Sequence, residues 1–296
     1  MPAYLKARAR LLWLGVALGL LGPLPAAVAA DASKTEAADS AAEAATPAAA
    51  PTTAPGEAPP TDLDSLRACL GENLPAQSLV QNVRLIASDS AGGRELKARV
   101  YGMKLDSETA VMIDVRAPSD MSGSRYLVIA GPERDAMYLY IPALNRTRRV
   151  VGSMAGQSLW GTDFSYEDIK LLRGLLNQGV LEVETGHEYE KRPALKVRID
   201  PTEEGAESQY SQVTLLVDQQ TCVIVEGRFA DEAGLAKTLR VAPEDLIEVD
   251  GRWWAQRVQV ESHRRNSRSE LIVDDFEFDR ELRARLFDPR SFQRGS

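Results

Sequence analysis

Residues 96–115 read LKARVYGMKLDSETAVMIDV, and the spacing of the apolar residues in this stretch decides the fold class. Apolar side chains stand at alternate positions on both sides of the turn LDSE: Leu96, Ala98, Val100, Val111, Ile113 and Val115. Successive side chains of a β-strand point to opposite faces, so a period of two is typical of a strand. The stretch therefore predicts two strands joined by a short turn.

The same period of two recurs along most of the chain. It returns at residues 195–200 and 254–261, and turn motifs such as DPTEEG and VDG separate the runs. We count about eleven strands between Val80 and Phe278, which predicts a mainly β protein built as an antiparallel meander, sandwich or barrel. The runs do not alternate with helices, which argues against a nucleotide-binding α/β fold.

Two of the predicted strands, RYLVIAG at 125–131 and AMYLYIP at 136–142, are apolar on both faces. One face is expected to pack on a core, and the other must meet a helix or line a cavity. A second packed layer is the alternative to a cavity. Four residues on these strands are candidates for lining it: Leu127, Ile129, Leu139 and Ile141.

The N-terminal region divides into a targeting segment and a linker. A basic start, an apolar run from Leu11 to Leu21 and small residues through Ala30 predict a secretory signal peptide over residues 1–29, cleaved near Ala29 or Ala30. An uncleaved anchor is the alternative. The Ala- and Pro-rich residues 30–61 lack apolar periodicity, so we predict a disordered linker there and one folded domain over 62–296.

Charge argues against nucleic acid as a partner. The chain has 35 Lys and Arg and 43 Asp and Glu residues. Loss of the signal peptide, which contains Lys6, Arg8 and Arg10, takes the formal net charge from −8 to −11. Binding to phosphates requires a basic surface, and this balance is acidic.

The two cysteines are Cys69 and Cys222. An even number of cysteines in an exported protein suggests one disulfide. Two free buried thiols are the alternative, and neither cysteine has a neighbouring His that would suggest a catalytic thiol.

Helical spacing is confined to short segments. Residues 62–73 predict a helix, which Asn73 and Pro75 end. Ser165 and Asp168 have the spacing of a capping box at the start of a second helix. This second helix carries an apolar stripe of Ile169, Leu172 and Leu176. A weak last helix is predicted over 280–286.

Residue patterns for catalysis are missing from the sequence. His187 and His263 have no partners at metal-ligand spacing, so we predict no metal site and no cofactor. Ser158 lies in GQSLWG, which lacks the glycine spacing of a nucleophile elbow. GSMAGQS lacks the Lys of a phosphate-binding loop. We therefore predict that the protein is not an enzyme, the alternative being a Ser/His/Asp site assembled from distant parts.

Residues 152–161 are rich in Gly and Ser, and an aromatic cluster that includes Trp160 and Phe164 begins near their end. We interpret the segment as the mobile edge of a lid over an apolar pocket. A rigid connection whose aromatic residues fill the core is the alternative. Arg146, Arg148 and Arg149 precede the segment. They are candidates for contact with a ligand headgroup or a partner. A solvated strand face is the alternative.

Three segments together indicate a known family: CLGENLP at 69–75, YLYIPALNRTRRVVGSMAGQSLWGTDFSYEDI at 138–169, and DQQTCVI at 218–224. They resemble the LolA-like family of periplasmic outer-membrane lipoprotein-sorting proteins. The resemblance implies a half-open antiparallel β-barrel whose concave apolar face is covered by short helices. It also implies a cavity for acyl chains and supports a Cys69–Cys222 bridge.

The function that the resemblance implies is a periplasmic carrier, which binds acyl chains of a lipoprotein or lipid for transfer toward the outer membrane. A sensor or adaptor of an envelope stress regulator or lipid exporter, using the same cavity, is the alternative. Expected partners are lipid or lipoprotein acyl chains, an inner-membrane exporter or an outer-membrane acceptor, and we expect a monomer. The predicted cavity and lid residues are Leu127, Ile129, Leu139, Ile141, Trp160, Phe164, Ile169, Leu172 and Leu176.

Overall fold

The computed structural model describes residues 59–89, 92–105, 108–130, 135–151, 156–168, 180–201 and 208–294. The first element is helix α1 (Leu63–Glu72), which lies where the sequence predicts a helix. Its N-cap, Asp62, accepts a hydrogen bond from the backbone N–H of Ser65 at 2.8 Å. The Ser65 hydroxyl in turn accepts one from the Asp62 N–H, which completes a capping box.

Strands make up most of the rest of the described chain. They are β1 (Ser78–Asp89), β2 (Gly92–Lys104), β3 (Thr109–Ala117), β4 (Arg125–Ala130), β5 (Asp135–Ile141), β6 (Arg146–Val150), β7 (Val180–Tyr189), β8 (Arg192–Ile199), β9 (Gln212–Asp218), β10 (Ile224–Asp231), β11 (Gly234–Arg240), β12 (Leu246–Val249), β13 (Arg252–Ala255), β14 (Arg257–Ser262) and β15 (Ser267–Phe278).

Thirteen of these strands form one antiparallel sheet in the order β6-β5-β4-β3-β2-β1-β15-β14-β11-β10-β9-β8-β7, and β12 pairs with β13 in a separate hairpin. The sheet does not close, because β6 and β7 lie at its two ends. The predicted fold class, a mainly β half-open antiparallel barrel, is confirmed. The sequence count of about eleven strands is low because four-residue strands such as β12 and β13 are too short to show a period of two.

One face of the sheet, which we call the inner face, carries the main core. It includes Val83 on β1, Leu96 on β2 and Val128 on β4. Helix α1 and the segment 159–166 pack against this face through Leu66 and Phe164 among others. Helix α1 and a largely non-helical segment therefore cover part of the inner face.

The opposite face, which we call the outer face, is also covered over β1–β4. Met112 and Leu127 are fully buried there against Phe287 and Phe292. Phe287 belongs to a 3-10 turn, Ala284–Phe287, and Phe292 begins a second one, Phe292–Arg294. The weak helix predicted over 280–286 is thus a 3-10 turn within a C-terminal segment that packs on the sheet.

The predicted bridge between Cys69 and Cys222 is present, with a Cα–Cα distance of 5.9 Å. It joins α1 to the turn between β9 and β10, and a nearby side-chain contact strengthens this junction. Asn73 at the end of α1 donates to the Thr221 carbonyl at 2.8 Å and accepts from the Trp253 N–H at 2.9 Å. Within the described ranges, no helix has the length and apolar character needed to span a bilayer.

Candidate functional site

The candidate site is the inner face of β4–β6 together with the segment 156–168 that lies on it. The register pairs Met137 with Val150, and both side chains are buried in the main core. Cross-strand residue pairs that are two positions apart along the strands lie on the same face of the sheet. The next pairs on the inner face are therefore Leu139 with Arg148 and Ile141 with Arg146.

This register divides the three predicted headgroup arginines between the two faces. Arg146 and Arg148 lie on the inner side beside Leu139 and Ile141, whereas Arg149 pairs with Tyr138 on the outer side. All three arginines are exposed, and no described carboxylate lies within ion-pair distance of them. On the inner face of β5–β6, the end with Met137 and Val150 is thus apolar, and the end with Arg148 and Arg146 carries basic side chains.

The same alternation divides the predicted apolar lining. Leu127 and Ile129 belong to the outer cluster that Phe292 covers, while Leu139 packs against the main core. The β4 residues that do share the inner face with Leu139 are Tyr126 and Val128. Sequence reasoning missed these two, because both faces of β4 are apolar and the sequence does not say which face is inner.

Aromatic side chains of segment 156–168 lie directly on this inner face. Tyr166 contacts Tyr126, with ring centroids 4.7 Å apart, and Phe164 is buried in the main core. Trp160 is partly exposed, but its indole N–H is buried and has no hydrogen-bond partner within the described chain. The predicted lining residues Ile169, Leu172 and Leu176 lie outside the described residues.

Asp163 fixes the start of this segment to β15. Its carboxylate is buried and accepts hydrogen bonds from Ser267, from Ser269 at 2.8 Å and from Arg265 at 2.6 Å. Its backbone N–H also donates to the Ser269 hydroxyl at 2.8 Å. Hydrogen bonds to a charged group in a buried setting are among the stronger ones in proteins, so the segment is held at this point.

Asp168 fixes the end of the segment to the other half of the sheet. It accepts a hydrogen bond from the backbone N–H of Ser165 at 2.7 Å, and Ser165 accepts one from the Asp168 N–H, which confirms the predicted capping box. The same carboxylate binds the buried ammonium of Lys237 on β11 and the hydroxyl of Tyr210. Burial raises the pKa of Tyr210, and the negative charge of Asp168 raises this pKa further.

Glu167 makes a third polar contact. Its carboxylate accepts hydrogen bonds from the Ser208 hydroxyl and from the backbone N–H of Gln209, the latter at 3.2 Å. The Gln209 side chain donates to Ser165 at 3.1 Å. The acidic residues of TDFSYED are thus neutralised or hydrogen-bonded by protein groups. Apart from Ser165, which local spacing predicted, their partners lie 41 or more positions away in sequence, so local patterns gave no signal for them.

A polar pocket of about 310 Å³ lies beside this segment, at the turn between β1 and β2. Arg94 enters it and donates to the Trp160 carbonyl at 2.7 Å, passing so close to Gly161 that a Cβ there would lie 2.1 Å from the guanidinium. Gly161 also has φ +78°, which favours glycine. These contacts explain why WGTD needs a glycine at its second position.

The two histidines have separate sets of neighbours. Nε2 of His263 lies 2.8 Å from the buried hydroxyl of Thr238, and its Nδ1 lies 3.9 Å from Glu261. His187 lies 3.1 Å from Glu184. No set of three or more His, Cys, Asp or Glu side chains in the described ranges is arranged to hold a metal ion. The arrangement suits binding of an apolar group next to an anionic one.

The family model of DUF1329-like proteins, described as "Uncharacterized protein", matches residues 107–294. The chain belongs to the DUF1329-like family. Among solved structures, the DUF1329-like chain is similar to a DUF1329 family protein from Desulfovibrio piger, with TM-score 0.68 and 21% identity, covering 76% of this chain and 95% of that one. No curated protein sequence matches the chain.

Two further solved structures connect the DUF1329-like chain to lipoprotein-sorting folds. A putative outer membrane lipoprotein-sorting protein domain from Vibrio parahaemolyticus has TM-score 0.68 and 18% identity, covering 78% of this chain and 97% of that one. A LolA superfamily protein from Nitrosomonas europaea has TM-score 0.55 and 14% identity, covering 73% and 92%. The LolA-like fold that the sequence suggests is confirmed.

Proposed function

We propose that this protein is a periplasmic carrier that binds acyl chains of a lipoprotein or lipid on the inner face of its sheet, for transfer toward the outer membrane. The observation that carries the proposal is the inner face of β5–β6. There, Leu139 and Ile141 stand beside Arg148 and Arg146, two exposed cations without a described carboxylate partner. An amphipathic ligand with an acyl chain and an anionic headgroup fits such a surface.

The apolar part of the ligand supplies most of the affinity. Each methylene removed from water contributes about 0.8 kcal/mol, so one acyl chain of ordinary length is sufficient for useful binding.

The anchored residues 163–168 supply the fixed end of the proposed lid. Asp163 and Asp168 hold this segment to the sheet on both sides of Phe164. The aromatic residues that meet an acyl chain are thus positioned before the ligand arrives. Preorganisation of this kind reduces the entropy lost on binding.

The test compares binding of a fluorescent fatty acid by two variants of the full mature chain. Leu139→Glu places a carboxylate on the inner face, and we expect it to weaken binding by about tenfold or more, equivalent to about 1.4 kcal/mol. Thr147→Glu places the same group on the outer face of the neighbouring strand and is expected to leave binding unchanged. Equal affinities of the two variants, both folded by circular dichroism, would reject the inner face as the site.

Organic-solvent extraction of the purified protein, followed by mass spectrometry, identifies the cargo. Stoichiometric lipid in the extract supports the carrier. An extract without lipid, together with capture of a membrane protein, supports the second candidate, a periplasmic sensor or adaptor. The exposed edge strand β6 favours that second candidate, because a partner polypeptide can reach it.

A further inference from the structure

Among the described strands, β6 lies at one edge of the large sheet. It pairs with β5 on one side, and it is the last strand in the order of the large sheet. An edge strand presents a row of backbone N–H and C=O groups that a further strand can bind. The edge is therefore a template for an extended polypeptide.

The side chains of this edge are basic on an acidic protein. Arg146, Arg148 and Arg149 are exposed and have no described carboxylate within ion-pair distance. Other exposed arginines of the described chain do have one, such as Arg280 with Glu277 at 2.6 Å. Three cations within four positions, none with a carboxylate partner among the described residues, form a local positive surface on a chain with formal charge −8.

Exposed apolar side chains stand at both ends of this basic edge. Leu144 is 52% exposed and Val151 is 56% exposed, and they are the exposed large hydrophobic residues of the described chain. Charged edge strands are often a protection against aggregation, but protection does not require exposed Leu and Val at the two ends. Apolar ends around a polar centre are what a short docking strand needs.

We propose that β6 is the docking edge for an extended acidic segment of a partner protein, which adds as an antiparallel strand beside it. A second copy of β6 is excluded as the occupant, because its arginines would lie opposite like charges. The partner segment carries carboxylates at alternate positions to face Arg146 and Arg148. It carries apolar residues at both ends, to cover Leu144 and Val151.

The length of the surface sets the length of this segment. Strand β6 has five residues, Arg146–Val150, and spans about 17 Å at 3.3 Å per residue, so a partner segment of about seven residues covers it and reaches past both ends. Backbone hydrogen bonds supply general affinity, and the alternate carboxylates supply register and selectivity. The backbone pairing uses the edge of β6 and does not depend on the proposed carrier function, whereas Arg146 and Arg148 can serve either an acidic segment or an anionic headgroup.

The probe is a seven-residue peptide with Val at both ends, Glu at positions 3 and 5, and Thr at the others. Its binding to the mature chain is measured by fluorescence anisotropy, and hydrogen exchange of the β6 amides is measured with and without peptide. We expect binding to be accompanied by slower exchange in residues 146–150. A peptide of the same sequence with N-methylated alternate amides cannot complete the strand pairing, and we expect it to bind at least tenfold more weakly.

Two charge-reversal variants complete the test. Arg148→Glu is expected to weaken binding of the unmodified peptide by tenfold or more. Lys191→Glu makes the same charge change in the exposed turn between β7 and β8, at the opposite edge of the sheet, and is expected to change binding less than twofold.

Several results overturn the proposal. Equal binding of the methylated peptide shows attraction of charges without strand addition. Absence of peptide binding rejects β6 as a docking edge, and so does unchanged hydrogen exchange of its amides. If the protein instead binds phosphatidylglycerol vesicles in a manner that depends on Arg148, the basic surface is a membrane contact. The fatty-acid assay with Leu139→Glu is run on the same preparations, so failure of the carrier function is seen separately.

Discussion

Tyr210 donates its hydroxyl hydrogen bond to Asp168 at 2.7 Å, and the second oxygen of the same carboxylate binds Lys237 at 2.5 Å. Asp168 lies at the start of the second predicted helix, Tyr210 precedes β9, and Lys237 lies on β11. The contact thus joins the segment on the inner face to the far half of the sheet. All three side chains are buried, which makes their pairing costly to disturb.

Removal of Asp168 is expected to destabilise the fold strongly. In Asp168→Ala the ammonium of Lys237 stays buried without its counter-ion, and breaking a buried ion pair in this way costs about 3 to 5 kcal/mol. Urea unfolding followed by circular dichroism measures the free energy of unfolding of both proteins. A loss below about 1 kcal/mol contradicts the expectation.

Lys237→Met supplies the matched control for that prediction. In the double variant Asp168→Ala with Lys237→Met, both charges are absent, so we expect a smaller loss of the free energy of unfolding than the sum of the two single losses. A double-mutant cycle measures the coupling. Additive losses show that the two residues act independently.

Stability is expected to fall above about pH 10 through Tyr210. Burial and the charge of Asp168 raise the pKa of Tyr210 in the folded protein above its ordinary value of 10.0. Above that value the unfolded chain loses the Tyr210 proton while the folded protein keeps it, so the free energy of unfolding falls by about 1.4 kcal/mol per pH unit. Unfolding measured between pH 9 and 11 should show a shallower fall in Tyr210→Phe. Parallel curves for the two proteins contradict this assignment.

Loss of the Cys69–Cys222 bridge is expected to destabilise the protein and to free α1. The bridge closes a loop of 153 residues, for which chain entropy gives about 5 kcal/mol as an upper figure. We expect a lower urea midpoint for Cys69→Ala with Cys222→Ala, and for the reduced wild type. Mass spectrometry confirms the redox state in each sample. An unchanged urea midpoint in both cases shows that packing of α1 is sufficient to stabilise the protein without the bridge.

Phe292 is expected to be a main contact of the C-terminal segment on the outer face. Its side chain is fully buried against the outer cluster that contains Leu127. Phe292→Ala is expected to lower the free energy of unfolding by about 3 to 5 kcal/mol, because the cavity left in a packed cluster stays partly empty.

Arg290→Ala changes an exposed residue of the same segment and is expected to alter stability by less than about 0.5 kcal/mol. Chemical unfolding of both variants at neutral pH makes the comparison. Comparable losses in the two show that the segment is sensitive to any change, without a specific role for Phe292.

Much of the fold could be predicted because its signals are local. The period of two around Leu96 and Val111 indicated strands, the helical spacing within residues 62–73 indicated α1, and the spacing of Ser165 and Asp168 indicated a helix start. Each signal depends on side chains within a few positions of one another, where strand and helix geometry fix their relation. The cysteine count indicated the bridge in the same direct way.

The candidate site could be predicted only in part. Leu139, Trp160 and Phe164 lie on or against the inner face, but Leu127 and Ile129 lie on the outer one. β4 is apolar on both faces, so its sequence is equally compatible with either orientation. Only the C-terminal segment, more than 150 positions later, shows why Leu127 faces outward.

By itself, the sequence determined the mainly β class, the two helix starts, the pairing of Cys69 with Cys222 and a LolA-like resemblance. The tertiary structure alone decided which face of β4 is inner, which partners bind Asp168 and that β6 is an open edge. The physical reason is the range of the interactions. Strand and cap patterns are set by neighbouring residues, whereas the Lys237 and Tyr210 contacts of Asp168 join positions 69 and 42 residues apart.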